Sequence, residues 1–316
     1  MKLGVIMDPI GSIKIAKDST FAMLLEAQKR GWQIHYLEMP DLSIVQGIPY
    51  GHSRGLRVED DASRWFDLGA RTMIDLRDLD VVLMRKDPPF DMQYIYATYI
   101  LELAQQAGTL VINRPDSLRD ANEKVFTTWF PDCCVASMVS RTSGQILEFL
   151  REQQDIIVKP LGGMGGRSIF RVRQGDPNTN VILETLTGHG SEYCMAQRFI
   201  PEITQGDKRI LLIDGEAVPY ALARIPAVGE NRGNLAAGAQ GVGVELTERD
   251  RWICAQVAPK LREMGLVFVG IDVIGDYLTE VNVTSPTCIR ELDRIYHLNI
   301  AGTLFDKIDQ MLGRRE

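Results

Sequence analysis

The segment Asp155-Ile-Ile-Val-Lys159-Pro160-Leu-Gly162-Gly163-Met164-Gly165-Gly166-Arg167-Ser168 sets the tightest limit on what this chain can fold into. It reads as a short apolar strand ending in a lysine, then a glycine-dense loop, then a second strand, Ser168-Ile-Phe-Arg-Val-Arg173. Four glycines in five positions leave backbone N–H groups uncovered and able to close around phosphate oxygens. The lysine before them adds a fixed positive charge. A P-loop or a dinucleotide-binding turn needs a helix after the loop, so the order strand, loop, strand excludes both. The functional reading is a hairpin flap folded over a triphosphate. The plain alternative is a flexible hairpin turn.

A chain of 316 residues has room for two or three domains, and 45% hydrophobic content supplies a full core. The net charge of −7 and an isoelectric point near 5.3 argue against a nucleic-acid partner, which wants a basic face. A phosphate ligand needs only a local positive pocket. No apolar run approaches the ~18 residues of a membrane span, so no membrane association is expected. The opening Met1-Lys-Leu-Gly-Val-Ile-Met-Asp8 lacks a signal-peptide h-region and reads as a first strand. Cys133 and Cys134 are adjacent, but there is no C-x-x-C and no His/Cys cluster, so neither zinc nor a disulfide framework is expected. The histidines at 35, 52, 189 and 297 are scattered and read as surface or core residues. A soluble cytoplasmic enzyme fits this pattern.

Strands at 2–8, 32–38, 80–84 and 110–113 alternate with helices at 18–31 and 91–106, which predicts an open parallel α/β sheet. Residues 40–78, polar and mixed, read as a hairpin and surface loops. Ligands in such sheets gather at the carboxyl ends of strands, where Asp8, Arg85 and Asn113 stand. From about 117 the style changes: a helix over 117–129, then strands flanking a helix at 145–153, the glycine loop, a helix near 180–187 and a strand at 193–199. Beyond lie the hairpin 208–214/217–224, a glycine-rich loop at 226–243, a helix at 247–264 and strands at 266–273 and 277–283. The fold class is thus α/β followed by α+β. It divides into an N-terminal α/β substrate-binding domain at 1–120, a central unit with the flap at 121–200 and a C-terminal unit at 201–316.

Asp272, Glu280 and Asn282 lie on two successive strands joined by a turn at Gly275-Asp276. Glu280 and Asn282, two apart, project from one face, and Asp272 stands opposite them. Oxygen donors in that pattern suit Mg²⁺, with phosphates and water completing the octahedron. A solvated face of an edge strand is the alternative. Asp207-Lys208-Arg209 opens one hairpin strand and Arg224 closes the other. Guanidinium groups grip phosphate and carboxylate through paired donors, so the two arginines read as anion clamps. The loop 226–243 reads as a lid that excludes water from a reactive intermediate and carries in Arg232, or as a plain linker.

Four elements now stand in one order: Lys124, Lys159 before the flap, an arginine hairpin, and Asp272-x7-Glu280-x-Asn282. This order resembles the ATP-grasp superfamily. Longer stretches narrow the likeness: Met7-Asp-Pro-Ile10, Met84-Arg-Lys-Asp-Pro-Pro-Phe90, Ser117-Leu-Arg-Asp120, Gly163-Met-Gly-Gly166, Arg232-Gly-Asn-Leu-Ala-Ala237 and Thr279-Glu-Val-Asn-Val-Thr-Ser-Pro-Thr-Cys-Ile-Arg-Glu291. Together they resemble bacterial glutathione synthetase along essentially the whole chain.

The resemblance implies an N-terminal pre-ATP-grasp domain followed by a two-part ATP-grasp fold. It implies ATP-dependent ligation of γ-glutamylcysteine with glycine through an acyl phosphate, releasing ADP and phosphate. Another carboxylate–amine ligase, dipeptide-forming or glutamate-adding, is the alternative. Lys124 and Lys159 are then expected on the ATP phosphates under Gly163, Met164, Gly165 and Gly166. Gln197, Arg198, Phe199 and Ile200 would meet adenine and Asp207 the ribose. Asp272, Glu280 and Asn282 would hold Mg²⁺ (or Mn²⁺), and Arg209, Arg224 and Arg232 would act on the transferring phosphate and substrate carboxylates. Asp8, Ser12 and Arg85 are expected on the substrate. A homotetramer is the assembly the resemblance implies. Gly162, Arg167 and Ala239 depart from the family's flap and lid pattern, and none of them removes a proposed ligand.

Overall fold

The computed structural model describes residues 1–163, 166–227 and 240–313. The first sheet is built on β1 (Lys2–Ile6), with β2 (Gln33–Leu37), β3 (Leu42–Val45), β4 (Ile48–Val58), β5 (Phe66–Asp75), β6 (Val81–Met84) and β7 (Leu110–Ile112). Its order is β3-β4-β2-β1-β6-β7, with β5 on the free side of β4. β1 runs parallel to β2 and β6, and β6 parallel to β7. These four strands are the open parallel sheet that the apolar runs predict. β3, β4 and β5 are antiparallel additions. Residues 40–78 are therefore more regular than expected. β5 is exposed along most of its length, so it lacks the apolar alternation that betrays a half-buried strand.

Helix α1 (Ser19–Lys29) starts at Asp18, whose carboxylate accepts the Phe21 N–H at 2.6 Å. Helix α2 (Met92–Gln106) starts in the same way at Asp91. An acidic side chain in this position satisfies an otherwise orphaned amide and faces the positive end of the helix. The helix expected over 117–129 is broken. Helix α3 (Pro115–Asp120) stops, and a 3₁₀ turn begins at Val125. Asn122 causes the break. Its Oδ1 accepts the backbone N–H groups of Lys124 and Val125, a local bond that competes with helix continuation. Lys124 consequently stands at a break and not within a helix.

The second sheet, ordered β10-β9-β11-β8, holds β8 (Ser137–Ser140), β9 (Asp155–Pro160), β10 (Phe170–Arg173) and β11 (Cys194–Arg198). Helices α4 (Ser143–Gln153) and α5 (Thr179–Leu186) pack on it over a small core that includes Ile146, Phe149, Ile156 and Leu183. The third sheet, ordered β14-β13-β12-β15-β16, holds β12 (Asp207–Ile213), β13 (Glu216–Ile225), β14 (Gln240–Glu245), β15 (Phe268–Ile274) and β16 (Tyr277–Asn282). Helix α6 (Glu248–Glu263) covers one face and opens on a reciprocal Thr247–Asp250 capping box.

Helices α7 (Ile289–Tyr296) and α8 (Ile300–Gly313) complete the chain. α8 folds back onto α1: Leu304, Phe305 and Ile308 are fully buried, the Trp32 and Phe305 rings lie 5.0 Å apart, and Arg30 reaches Asp306 and Asp309. One apolar core thus runs from β1 and α1 through α8 to β12 and β13. Among the described residues no helix is long and apolar enough to cross a membrane.

Candidate active site

A cavity of about 250 Å³ opens where the second and third sheets meet. β9 delivers Lys159 to it. The side chain is almost fully buried, and its Nζ donates to the Thr279 carbonyl at 3.2 Å. The glycine-rich loop between β9 and β10 delivers Gly163 and Gly166. Lys124 reaches over from the break after α3. Its Nζ donates to the Gly163 carbonyl at 2.8 Å and to the Glu123 carboxylate. Glu280 completes the group, with its Oε1 3.7 Å from Lys159 Nζ and 3.9 Å from Lys124 Nζ. Gly166 sits at φ +75°, a backbone state that favours glycine.

The third sheet supplies the opposite wall, and its register explains how. Asp207 pairs with Arg224, Arg209 with Asp272, and Asp272 with Glu280, while Asn282 stands across from Gly270. These side chains therefore collect on one face. Gly270 carries no Cβ, and one would fall 2.9 Å from Arg209 Cδ; its absence lets Arg209 cross the strand toward Asp272.

The electrostatics follow from that packing. Asp272 is bound by Arg209 through both oxygens, while Arg224 Nη2 meets its Oδ2 at 2.9 Å. Burial alone would raise its pKa, but the two guanidiniums outweigh burial and hold the carboxyl well below the usual range. Asp207 goes the other way. Burial, reinforced by Asp272 and Glu280, overcomes the pull of Arg224 and pushes it up to about 7. Its Oδ1 is buried without a hydrogen-bond partner among the described residues, and it lines the cavity. An orphaned acceptor there asks for a donor from a ligand. Burial and the neighbouring Lys124 depress Lys159. Lys124 is raised: burial opposes its charge, but Glu280 and Glu123 outweigh it.

The cavity thus brings together Lys124, Lys159, Gly163, Gly166, the segment Gln197–Ile200, Asp207, Arg209, Arg224, Asp272, Glu280 and Asn282. Arg209 and Arg224 do not stand as free anion clamps, because carboxylates of Asp272 and Asp207 already occupy them. Asp8, Ser12 and Arg85 lie outside the lining. Asp8 pairs with Lys86 at 2.8 Å and accepts the Asp87 N–H, so it braces a loop whose Asp87 does line the cavity. Ser12 donates to the Pro9 carbonyl in a surface turn. Arg85 is buried, donating to Thr20 Oγ1 at 3.1 Å and to the Pro286 carbonyl at 2.9 Å. Met164, Gly165 and Arg232, with most of the expected lid including Ala239, lie outside the described residues.

Sequence reasoning passed over Glu123 and the run Thr284, Ser285, Thr287 and Cys288, all of which line the cavity, whereas Asp87, at the strand end already singled out with Arg85, lines it as well. Glu123 adjoins Lys124 but follows no periodic pattern. The 284–288 run lies within the long motif beginning at Thr279, so its position was visible there although its role was not.

The donor set suits a hard divalent cation. Asp272, Glu280 and Asn282 offer oxygen ligands on adjacent strands, and Glu280 carries a charge into the open cavity. Among the described residues no three His, Cys, Asp or Glu side chains gather to hold an ion by themselves. A cation here therefore needs Asn282 and the oxygens of a ligand.

Comparison with known proteins adds to this geometry. Residues 1–119 match the model of the prokaryotic glutathione synthetase N-terminal domain, and residues 123–297 match that of the prokaryotic glutathione synthetase ATP-grasp domain. The chain is 61% identical over 315 residues to the glutathione synthetase of Pseudomonas aeruginosa, covering 100% of this chain and 99% of that protein. It is 57% identical over 312 residues to the glutathione synthetase of Vibrio vulnificus, covering 99% and 98%. Among solved structures, D-cycloserine synthetase DcsG superposes with a TM-score of 0.67 at 16% identity, covering 98% of this chain and 100% of that one. The ATP-grasp ligase PsnB, solved with a minimal precursor, Mg and ADP, gives 0.63 at 14% identity, covering 98% of each chain. At such low identity these two structures speak to the fold alone.

Proposed function

The chain belongs to the prokaryotic glutathione synthetase family and is an ATP-dependent ligase, and on that premise we propose how its cleft joins γ-glutamylcysteine to glycine. One observation carries the reading. A single cavity sets Lys124, Lys159 and the glycine loop against Asp272, Glu280 and Asn282. Cationic and backbone donors on one wall and oxygen donors on the other are what a triphosphate with a divalent counter-ion requires.

A carboxylate acylates poorly because its leaving group would be oxide. The γ-glutamylcysteine carboxylate oxygen attacks the γ-phosphorus, the bond to the β-phosphate oxygen breaks, and ADP leaves. The glycine nitrogen then attacks the acyl carbon, the amine loses a proton, and phosphate departs with the bonding pair of the C–O bond. The protein's task is to gather like charges and keep water away. Lys124 and Lys159 hold the phosphates, and ATP competes with Glu123 and Glu280 for their charge. The unpartnered Oδ1 of Asp207 takes a ribose hydroxyl. Gln197, Arg198, Phe199 and Ile200 line the cavity as the base's wall. Arg209 and Arg224 keep donors beyond those spent on carboxylates and direct them at the phosphate in transfer. Asp272, Glu280 and Asn282 would hold Mg²⁺, or Mn²⁺ in its stead, which when bound draws electron density from the phosphate oxygens.

We carry forward the three-part division at 120 and 200, with Asp8, Ser12 and Arg85 serving the substrate side and Arg232 the lid. A homotetramer is the assembly proposed, with mass measured in solution as its check. The cytoplasm is the proposed location, since it supplies ATP and keeps a thiol substrate reduced. The test of the activity is phosphate release from ATP with a panel of acid and amine pairs. The reading expects release only when γ-glutamylcysteine and glycine are both present. Preference for another pair would favour a dipeptide-forming or glutamate-adding ligase.

A further inference from the structure

Apolar side chains share the cavity with its charges, among them Ile157, Ile169, Phe199 and Ile200. Phe199 is held in a way that phosphate chemistry does not explain. The guanidinium of Arg171 lies 3.4 Å from the centre of its ring. The other guanidinium–ring contacts among the described residues run from 4.1 to 5.7 Å, so this one is a face-on stack. Asp155 locks Arg171 in place, accepting Nε on Oδ1 at 2.9 Å and Nη2 on Oδ2 at 2.6 Å. Its backbone carbonyl also accepts the Phe199 N–H at 3.0 Å. Arg171 and Gln197 flank the same β9 residue, Ile157, which brings the edge strand's arginine beside the chain that leads into Phe199. The result is a closed three-residue clamp: Asp155 holds the ring's backbone and, through Arg171, one of its faces. Arg173 also approaches Asp155, but with a side chain 65% exposed against 24% for Arg171.

We propose that Arg171 is a positioning residue for the nucleotide, clamping Phe199 with Asp155 as a fixed platform for the base of ATP. The proposal rests on the ATP-ligase reading above and adds the device that orients the base. A planar cation over one face stops the ring from turning and leaves the aromatic wall already ordered when the base arrives. Stacking on such a wall tolerates any base but favours the larger purine surface.

The test uses the full-length enzyme. Wild-type glutathione formation from ATP is measured first; its failure would overturn the ATP-ligase reading and the clamp proposal that rests on it. Given wild-type turnover, Arg171→Gln is expected to raise KM for ATP about tenfold. Its preference for ATP over CTP should shrink, while kcat and the KM values for γ-glutamylcysteine and glycine stay within about twofold. Arg171→Lys, which keeps the charge but loses the planar fork, should fall between. Phe199→Leu should raise KM for ATP similarly, and adding Arg171→Gln to it should do little more, because both remove one platform. An unchanged KM for ATP, a fall in kcat alone, or full additivity with Phe199→Leu would overturn the proposal. If Arg171→Gln does not fold, the Lys and Leu variants decide it on the same readouts.

Discussion

Asp272→Asn probes the most densely charged point of the cleft. Asparagine matches the volume of aspartate, so the change removes one charge and leaves shape intact. Arg209 contacts both carboxylate oxygens, and Arg224 shares Oδ2 at 2.9 Å. Whichever way the asparagine amide is turned, its NH₂ faces a guanidinium nitrogen, donor against donor. Two buried guanidiniums then keep each other company without the anion between them. Removing one partner of such a buried network costs about 3–5 kcal/mol. For a chain of this size that corresponds to a fall in Tm of roughly 5–8 °C. The sign with pH follows from the depressed pKa of Asp272. Its stabilising charge is present above the unfolded value of 3.8 and is lost as pH falls through the lower folded value. The gap between wild type and variant should therefore be full at neutral pH and shrink in strong acid. Urea unfolding of the ligand-free protein, followed by circular dichroism across that pH range, measures it. A variant within about 1 kcal/mol of wild type at neutral pH would refute the reasoning.

Three further outcomes are expected. Glu280→Gln should lower kcat by roughly two orders of magnitude or more, about 2.7 kcal/mol in the barrier, and near-normal turnover at limiting Mg²⁺ would contradict its role. Phe305→Ala should destabilise the fold by about 3–5 kcal/mol, because the ring is fully buried between α8 and α1; calorimetry checks this, and a Tm shift below about 2 °C would mean that α8 is not anchored there. His35 is half-buried, and burial, with a smaller push from Lys2, lowers its pKa from 6.5. The unfolded state therefore binds the extra proton first, so stability is lost as pH falls from about 6.5 toward the folded value, and His35→Gln should flatten urea midpoints between about pH 7.5 and pH 5.5.

The parallel strands of the first sheet were legible because three are apolar runs and the fourth, over 32–38, alternates apolar with polar residues. The helix starts at Asp18 and Asp91 were legible because a capping carboxylate precedes an apolar face. A hairpin was legible within 40–78, but the extent of β4 and β5 was not: the inward face of β4 includes Pro49, Gly51 and Ser53, and β5 is exposed along most of its length, so neither shows a clear apolar alternation. The break at Asn122 was hidden as well: a side chain binding two local N–H groups leaves no periodic trace, yet it is what gives Lys124 its reach to Gly163. The carboxylates and lysines of the cleft could be named from spacing and resemblance. What spacing could not reveal is that Asp272 and Asp207 already hold Arg209 and Arg224, because that depends on how three strands fall into register. α8 was missed for a related reason. Its apolar face is matched to α1, nearly the whole chain away, and no local pattern points to a partner so distant.

The acyl phosphate is tested most directly by isotope transfer. γ-Glutamylcysteine labelled with ¹⁸O in the carboxyl group that receives glycine is turned over in unlabelled water, and the released phosphate is analysed by mass spectrometry. The account predicts one labelled oxygen in each phosphate formed per glutathione. Phosphate without label would mean that water, and not the substrate carboxylate, takes the γ-phosphoryl group, and would contradict it.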